Sequence, residues 1–375
     1  MKKIDKKTTG ECLSKKLKAL QSDDLEILEW SPLKNFSTMR VGGQARVVAL
    51  PKTFGAFLRV CELASNFALP IYVLGNGSNT LCSSDGFSGV VICTMKMREA
   101  KLEVLTYKRV SRKAVKRFWA IKRLKNINEG GFAGIKEFTR TAITNNKGKL
   151  KSNQLIVYVE CGILLPNLAK LVSDRGYTGL EFACGIPASV GGAVKMNAGA
   201  FGGQMSDCVY KVLVYNLKTH ALYYKYNAKF LRRKSSCELW QADYRKTNIS
   251  DDEFVIGVYF KLSRGSKTQI SQLRKNVIAK RTATQNVGYP SLGSFFKRVQ
   301  DFAPSAFIDK CGLKGLTVGG AQVSKVHAGY IVNFKNATSE DILKLLKFIQ
   351  NLICKITNIM VQYEIKFLGD NNEEE

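Results

Sequence analysis

The sequence predicts an α+β protein, and three patterns along the chain support this fold class. Strand-like runs alternate with one helical stretch over residues 36–93, in a β-α-β order. Apolar and polar residues alternate over residues 209–226, as they do in half-buried strands. Apolar residues recur at helical spacing over residues 271–280 and 339–357. The chain therefore combines sheets and helices.

The predicted elements of the first part follow one another closely. Residues 45–50 predict a strand, residues 53–68 predict a helix, and residues 71–74 and 90–93 predict two further strands. Residues 1–30 are predicted to form a polar leader that is partly helical. This leader begins with lysines but has no apolar core after them, so it is not a secretory signal.

The second part continues with both kinds of element. Residues 156–172 predict a strand followed by a helix, residues 209–226 predict two strands, and residues 254–262 predict another. The helix at 339–357 is preceded by Thr338, whose side chain is a good N-cap.

Length and composition restrict the class of protein. A chain of 375 residues with 45% hydrophobic residues is long enough for two or three domains with apolar cores. It has no apolar stretch long enough to span a membrane. Ten scattered cysteines without a C-x-x-C pair indicate reduced thiols and a cytoplasmic location. Only His220 and His327 could join them, so no metal site is expected.

The formal charge of +28 is unevenly distributed. Residues 96–151 contain 17 lysines and arginines against four acidic residues, and they include a predicted basic helix at 107–127. The favoured interpretation of this segment is a solvated surface insertion. A basic amphipathic helix that touches anionic lipid or a partner protein is a second interpretation. Nucleic-acid binding is the weakest, because no fold signature accompanies the charge.

The most informative segment runs from Gly185 to Gly203 and reads GIPASVGGAVKMNAGAFGG. It contains six glycines and a single charge, Lys195. An ordinary helix is not expected here, because each interior glycine costs about 1 kcal/mol relative to alanine. A flexible linker would be richer in serine and other polar residues. The pattern indicates main chain that closely approaches a flat, extended ligand.

A second glycine turn, Gly75-Asn76-Gly77-Ser78-Asn79, follows the predicted strand at 71–74. Free N–H groups in such a turn bind anions such as pyrophosphate. An ordinary tight turn has the same composition, and the dinucleotide fingerprint is absent because Asn79 and Thr80 follow Ser78. Two such segments about 110 residues apart nevertheless favour one nucleotide cofactor held from two sides.

Three residues have both an ordinary and a functional interpretation. Arg245 is either a surface arginine or a planar fork that binds a carboxylate. Ser294 is either a turn serine or a proton donor to a strongly basic carbanion, and no G-x-S-x-G elbow surrounds it. Glu364 lies in an apolar run, MVQYEIKFLG, that predicts a strand. Its carboxyl either faces solvent or faces a cavity, where burial would raise its pKa.

From about Asn35 to Gly369 the chain resembles the UDP-N-acetylenolpyruvoylglucosamine reductase (MurB) family of peptidoglycan precursor synthesis, with one interruption at the basic segment. The order and number of the matching motifs make the resemblance specific. These motifs are NFSTMRVGG at 35–43, the turn at 75–79, Gly179-Leu180-Glu181 ahead of the long glycine segment, Tyr244-Arg245, YPSLGSFFK at 289–297, residues 308–320, residues 327–333, and Tyr363-Glu364-Ile365-Lys366.

The resemblance implies a particular division of the chain. Residues 31–265 would form a two-part FAD-binding unit of the PCMH type, with the basic insertion at about 97–153. Residues 266–370 would form a C-terminal α/β substrate-binding domain, whose last strand returns to the FAD unit. Tyr289-Pro290-Ser291 leads directly into Gly293-Ser294, which matches the shorter family type that lacks an extra tyrosine-bearing loop.

The resemblance also implies an activity, with FAD as cofactor and NADPH as co-substrate. FAD would take a hydride from NADPH and pass it to the enolpyruvyl group of UDP-N-acetylglucosamine enolpyruvate, and the product would be UDP-N-acetylmuramate. Arg245 and Glu364 would stabilise the enolate-like species, and Ser294 would protonate its α-carbon. Neither nucleic acid nor stable membrane insertion is implied.

The resemblance also implies, position by position, which residues would contact ligands. Lys280 and Arg281 would bind the UDP diphosphate, although a charge pair at the end of a helix is an equal alternative. Ala188, Lys366 and Thr247 depart from the usual Gly, Arg and Ser of the family. The expected FAD contacts are Gly75, Asn76, Gly77, Ser78, Asn79, Gly185, Pro187, Ser189, Val190, Asn197, Gly199 and Gly202.

Two rival functions are compatible with parts of this pattern. Another FAD oxidoreductase of the same superfamily would share the glycine segment but would not need Ser294 or Glu364. A basic binding protein built on a disabled flavoenzyme would bind no FAD. Intact Arg245, Ser294 and Glu364 argue against the second rival.

Overall fold

The computed structural model describes residues 15–17, 19–103, 154–231, 237–285 and 287–370. The predicted helix at 107–127, and most of the predicted basic insertion, lie outside these residues. Within the described ranges, every helix is too short or too polar to cross a lipid bilayer.

The helices and strands alternate along most of the described chain. The helices are α1 (Phe54–Asn66), α2 (Leu165–Asp174), α3 (Val190–Lys195), α4 (Lys267–Gln285), α5 (Pro304–Lys310) and α6 (Ser339–Thr357). The strands are β1 (Leu25–Pro32), β2 (Gln44–Pro51), β3 (Ile71–Leu74), β4 (Thr80–Cys82), β5 (Phe87–Cys93), β6 (Ala100–Glu103), β7 (Gln154–Glu160), β8 (Tyr177–Thr178), β9 (Gly199–Ala200), β10 (Gly203–Gln204), β11 (Val209–Asn216), β12 (Ala221–Asn227), β13 (Leu239–Trp240), β14 (Ala242–Asp243), β15 (Lys246–Thr247), β16 (Glu253–Arg264), β17 (Ser291–Ser294), β18 (Thr317–Val318), β19 (Ala321–Val323), β20 (Tyr330–Asn333) and β21 (Lys366–Leu368).

The chain divides into two compact units. The first unit combines Met1–Met97 with Ile278–Glu375, and the second unit is Arg98–Val277. Both units contain β-sheets and α-helices, which confirms the predicted α+β class.

One sheet of the first unit has the strand order β1-β2-β5-β3. β2, β5 and β3 are parallel, and β1 pairs antiparallel with β2. β1 begins inside the segment that was predicted to be a polar leader. Leu25 and Ile27 alternate with more exposed residues and are buried, so the strand contributes one face to the core.

A second sheet of the first unit is antiparallel, with the order β17-β20-β19-β18. Helix α6 buries Ile342, Leu345 and Ile349 in the core that this sheet shares. Its predicted bounds are confirmed, and the hydroxyl of Thr338 caps it by accepting a hydrogen bond of 3.2 Å from the Asp341 N–H. The last strand, β21, pairs in parallel with β4.

The second unit is built on a sheet with the order β13-β12-β11-β16-β7-β6, to which β8 is added beside β16. The central strand β16 is buried along most of its length and pairs antiparallel with both β11 and β7. The short helix α3 packs against β16 and β7, so the sheet supports the glycine segment.

Candidate active site

The glycine segment of the second unit contains a short helix, which its many glycines did not predict. Helix α3 spans only six residues and includes Gly191 and Gly192. Ser189 caps it, because its hydroxyl accepts a hydrogen bond of 3.3 Å from the Gly192 N–H. A Cβ on Gly191 would lie 2.8 Å from the Cβ of Cys161. Glycine at 191 therefore lets the helix approach Cys161, directly after β7, and this close packing outweighs the low helix propensity of glycine.

Main chain is exposed on this segment at two glycines. Gly192 is exposed in the first turn of α3. Gly202 has a φ of +85° and no heavy atom within 4 Å of the position that a Cβ would occupy. Backbone with open space beside it suits a flat cofactor such as FAD, whose pyrophosphate binds main-chain N–H groups.

Val190 and Asn197 are already engaged within the protein. Val190 is fully buried, and its N–H donates a hydrogen bond of 2.8 Å to the carbonyl of Ile163. Asn197 is 1% exposed, and its Nδ2 donates to the Asp243 carbonyl at 2.9 Å. Its Oδ1 accepts from the Ser206 N–H at 3.0 Å. Val190 and Asn197 therefore help to hold the segment in shape, and their contacts with FAD stay predictions.

Arg245 lies in the tight turn between β14 and β15, with a φ of +54°. Its Nη2 donates a hydrogen bond of 2.8 Å to the carbonyl of Gly199, and its guanidinium lies 5.0 Å from the ring centre of Tyr244. The Thr247 hydroxyl donates to the Lys195 carbonyl at 2.7 Å, so threonine makes this contact where the family usually has serine. These bonds, with that of Asn197, bring Arg245 and the glycine segment together.

The turn at residues 75–79 is part of the first unit. Gly77 has a φ of +59°, and a Cβ there would lie 2.1 Å from the carbonyl oxygen of Phe36. The Thr38 N–H donates to the Gly77 carbonyl at 3.2 Å. The turn is therefore held against a neighbouring segment at a position that only glycine fits.

Glu364 connects this turn to the strand that ends in Ser294. The Glu364 N–H donates a hydrogen bond of 2.7 Å to the carbonyl of Phe295. The Asn79 Nδ2 donates to the Glu364 carbonyl at 3.0 Å, and the Lys366 N–H donates to the Asn79 carbonyl at 2.8 Å. The first unit thus brings together the turn, Ser294 and Glu364.

The prediction that Glu364 lies in a strand is wrong. Strand β21 begins only at Lys366, and Glu364 lies in a bend before it. The reason is a change of partner along the chain, because Tyr363 bridges to Phe296 while Lys366 pairs with Thr80 of β4. The bend between these two pairings carries the carboxylate.

Tyr330 and His327 lie near Ser294 and Glu364, and no sequence motif predicts a role for either. Tyr330 lies directly opposite Ser294 in the pairing of β17 with β20. Burial raises the pKa of its hydroxyl, the nearby Glu364 raises it further, and Arg281 opposes them. The ring of His327 lies 4.3 Å from that of Tyr330, and burial lowers the pKa of this imidazole. Only the strand register reveals these neighbours, and it is not visible in the sequence.

The two predicted diphosphate contacts differ in their surroundings. Arg281 acts electrostatically on both Tyr330 and His327, which places its charge near the Ser294 strand. Lys280 is exposed on α4. Both lie within the helix and not at its end, since α4 continues to Gln285.

Two sequence families match parts of the chain. The family described as UDP-N-acetylenolpyruvoylglucosamine reductase, C-terminal domain, matches residues 285–368. A family described as FAD binding domain matches residues 136–218. The first match therefore covers Ser294 and Glu364, and the second covers the glycine segment.

Relatives that match over nearly their whole length carry the same family description. The UDP-N-acetylenolpyruvoylglucosamine reductase of Lactobacillus delbrueckii subsp. bulgaricus is 32% identical over 356 residues, which cover 95% of this chain and 99% of the relative. That of Caldicellulosiruptor bescii is 30% identical over 358 residues, with coverage of 94% and 93%. The crystal structure of UDP-N-acetylenolpyruvylglucosamine reductase (MurB) from Thermus caldophilus superposes with a TM-score of 0.63 at 27% identity, and covers 92% of this chain and 98% of that chain.

Proposed function

Because the chain belongs to the UDP-N-acetylenolpyruvoylglucosamine reductase family, we propose that it reduces UDP-N-acetylglucosamine enolpyruvate to UDP-N-acetylmuramate for peptidoglycan synthesis. NADPH is the reductant. FAD, when bound, supplies the redox chemistry by accepting a hydride from NADPH and passing it to the enolpyruvyl group. Identity of 30% or more over nearly the whole length of two relatives supports this assignment.

Two backbone segments would hold FAD. In the second unit, Gly202 offers exposed main chain with no heavy atom within 4 Å of the position of a Cβ, and Gly192 is exposed in the first turn of α3. In the first unit, the turn at Gly75–Asn79 would bind the pyrophosphate. The remaining predicted contacts, Gly185, Pro187, Ser189 and Gly199, would line the same segment.

Three side chains would act on the substrate. The guanidinium of Arg245 would bind the carboxylate of the enolpyruvyl group and stabilise the negative charge that develops there. The carboxyl of Glu364 would stabilise the same enolate-like species by a hydrogen bond from its protonated form. The hydroxyl of Ser294 would give its proton to the α-carbon. Arg281 and Lys280 would bind the diphosphate of the UDP group.

The division into an FAD-binding unit at 31–265 and a substrate domain at 266–370 is part of this proposal. So is a cytoplasmic location. The location is supported by the free thiols of all nine cysteines in the described part of the chain, which suit a reducing compartment.

The single observation that carries the proposed chemistry is the hydrogen bond between Glu364 and Phe295, since it sets a carboxylate beside the strand that ends in a serine. The test is direct. Purified protein should be yellow, and NADPH should be consumed beyond the amount that reduces the bound flavin only when the enolpyruvyl sugar nucleotide is added. A colourless protein that binds no added FAD would contradict the proposal and favour a non-catalytic binding protein.

A further inference from the structure

The first unit contains an open cavity of about 960 Å³ that the proposed reduction does not use. It lies between the loop at residues 33–43 and the loop at residues 334–338, beside Pro290. Pro290 precedes β17, and Ser294 is at the other end of this strand. The volume is that of an ordinary small-molecule site. Polar side chains of both loops line the cavity, and these include Lys34, Asn35, Arg40, Lys335 and Asn336.

Asn333 lines the cavity and holds its walls together. Its Nδ2 donates a hydrogen bond of 3.1 Å to the carbonyl of Met39, in the first loop. Its Oδ1 accepts from the Ala337 N–H at 2.8 Å, in the second loop. Its backbone N–H donates to the Pro290 carbonyl at 2.9 Å. One residue thus fixes the three segments that form the cavity, so its shape belongs to the fold.

The cavity carries positive charge that no neighbouring carboxylate balances. Lys34, Arg40 and Lys335 all line it and are exposed. Among the residues that the structure describes, none of these three side chains takes part in an ion pair. A concave surface lined by charges of one sign concentrates the field and attracts ions of the opposite sign. The cavity therefore favours an anion.

The acidic residues that follow the second loop are engaged elsewhere. The Asp341 carboxylate accepts hydrogen bonds from the Gly320 N–H at 3.0 Å and the Thr338 N–H at 3.1 Å. Glu340 accepts from the Ser339 hydroxyl at 2.6 Å. Both carboxylates cap the start of α6 and leave the cations of the cavity available to a ligand.

Two lining residues have left-handed backbone, with a φ of +56° at Arg40 and +49° at Asn336. This conformation is unfavourable for a residue with a Cβ, and for arginine more than for asparagine. The Asn333 Nδ2 also donates to the Arg40 carbonyl at 3.5 Å, which helps to hold the first of them. Backbone strain that the surrounding structure maintains is concentrated at ligand sites.

From this cavity and its cations we infer a second anion site, whose ligand is an oligophosphate chain. Such a chain carries several linked negative charges, which match three separate cations better than one carboxylate does. Arginine binds phosphate oxygens through its planar fork, and lysine binds them as a point charge. The amides of Asn35 and Asn336 add neutral donors. The chain is either a free oligophosphate or the triphosphate of a nucleotide.

An aromatic pair beside the cavity distinguishes these two sources. Phe334 lines the cavity, and its ring centre lies 5.2 Å from that of Tyr289. The Tyr289 side chain is exposed, so a nucleotide base can stack on it. A free oligophosphate has no group that uses this ring.

The first test maps the site on the purified full-length protein without changing its sequence. Lysines are acetylated by a limiting reagent with and without inorganic tripolyphosphate, at ionic strength matched with sodium chloride, and peptide mass mapping gives each rate. We expect tripolyphosphate to slow the labelling of Lys34 and Lys335 by about fivefold or more. Lys52 and Lys355, which are exposed in the same unit, should slow by less than about twofold.

The second test compares two double variants of equal net charge. Lys34→Gln with Lys335→Gln should raise the Kd for tripolyphosphate in calorimetric titration by about tenfold or more. Lys52→Gln with Lys355→Gln should change this Kd by less than about twofold. Equal effects of the two double variants, or equal protection of all four lysines, would overturn the inference.

Adenosine triphosphate serves as the nucleotide in a further titration. Tighter binding than that of tripolyphosphate, lost in Tyr289→Ala, identifies a nucleotide as the ligand. Equal affinity of the two compounds, unchanged in Tyr289→Ala, identifies a free oligophosphate. Either result supports the site, whereas binding of neither compound would overturn it.

Discussion

The backbone N–H of Glu364 donates a hydrogen bond of 2.7 Å to the carbonyl of Phe295, the residue after Ser294. This bond joins two backbone segments, so replacing the side chain of Ser294 or Glu364 leaves it in place. The strand that ends in Ser294 is held further by its pairing with β20, where Tyr330 lies opposite Ser294. Variants at Ser294 and Glu364 therefore test chemistry with little disturbance of the fold.

Ser294→Ala should separate the two halves of the proposed reaction. NADPH should still bleach the flavin absorption band, because the serine takes no part in that step. Reoxidation by the enolpyruvyl sugar nucleotide should fall by about 10²–10⁴-fold, the usual loss when a general acid is removed. Rapid-mixing absorbance measurements distinguish the two steps.

The control for this prediction is Ser271→Ala, which removes an exposed hydroxyl from α4 and should change neither step. If Ser294→Ala abolished the bleaching by NADPH, the role assigned to this serine would be wrong.

Arg245→Lys should preserve the charge but lose the planar fork. Because Nη2 of Arg245 donates to the Gly199 carbonyl at 2.8 Å, the lysine variant also loses a contact that orients the side chain. We expect kcat/KM for the sugar nucleotide to fall by about 10²-fold or more. The free energy of unfolding should fall by only about 1 kcal/mol, as for one hydrogen bond.

Arg175→Lys is the matched control, since Arg175 makes a similar bond from Nη1 to the Leu171 carbonyl at 3.1 Å but lies outside the candidate site. Steady-state kinetics and denaturant unfolding should show no kinetic loss for this variant. Equal kinetic losses in the two variants would contradict the proposed role of Arg245.

Local signals in the sequence were sufficient where an element depends on its own residues. Helix α6 has the predicted bounds because Thr338 caps it and its apolar residues repeat at helical spacing. Arg245, Ser294 and Glu364 were predicted as catalytic residues from motifs, and these roles stay predictions. The sequence could not predict the bend at Glu364 or the position of Tyr330 opposite Ser294, because both depend on which distant strands pair. Helix α3 was not predicted for a similar reason. The cap by Ser189 and the close approach of Gly191 to Cys161 outweigh the low helix propensity of its glycines.

The buried pair formed by Lys225 and Glu253 should make a large contribution to stability. Their side chains are 8% and 6% exposed, and the Nζ–Oε2 distance is 2.8 Å. Lys225→Met would leave the Glu253 carboxylate buried without its partner, so the free energy of unfolding should fall by about 3–5 kcal/mol. The double variant with Glu253→Gln should lose less. Asp251→Asn, which breaks an exposed pair with Lys195, should change stability by less than about 1 kcal/mol.

The Glu253 carboxylate should make the free energy of unfolding depend on pH. Burial alone would raise the pKa of Glu253, but hydrogen bonds from Lys225, Tyr223 and the Ser250 backbone together hold it below its ordinary value of 4.5. A carboxyl whose pKa is lower in the folded state stabilises the fold above that ordinary value. This contribution should disappear as the pH falls below 4.5. Denaturant unfolding across this range should show the wild-type protein losing its advantage over Glu253→Gln, and a constant difference would contradict the prediction.

Gly77→Ala should disturb the turn at residues 75–79 more than its backbone conformation alone explains. The φ of +59° disfavours any side chain, and the new Cβ would lie 2.1 Å from the Phe36 carbonyl oxygen. Gly312→Ala is the matched control, because Gly312 has a φ of +68° but no heavy atom within 4 Å of the added carbon. The control should lose about 1 kcal/mol of stability and keep its FAD. Gly77→Ala should lose more stability and should be purified with less flavin. Equal flavin content in the two variants, measured by absorbance after denaturation, would show that this turn does not hold the cofactor.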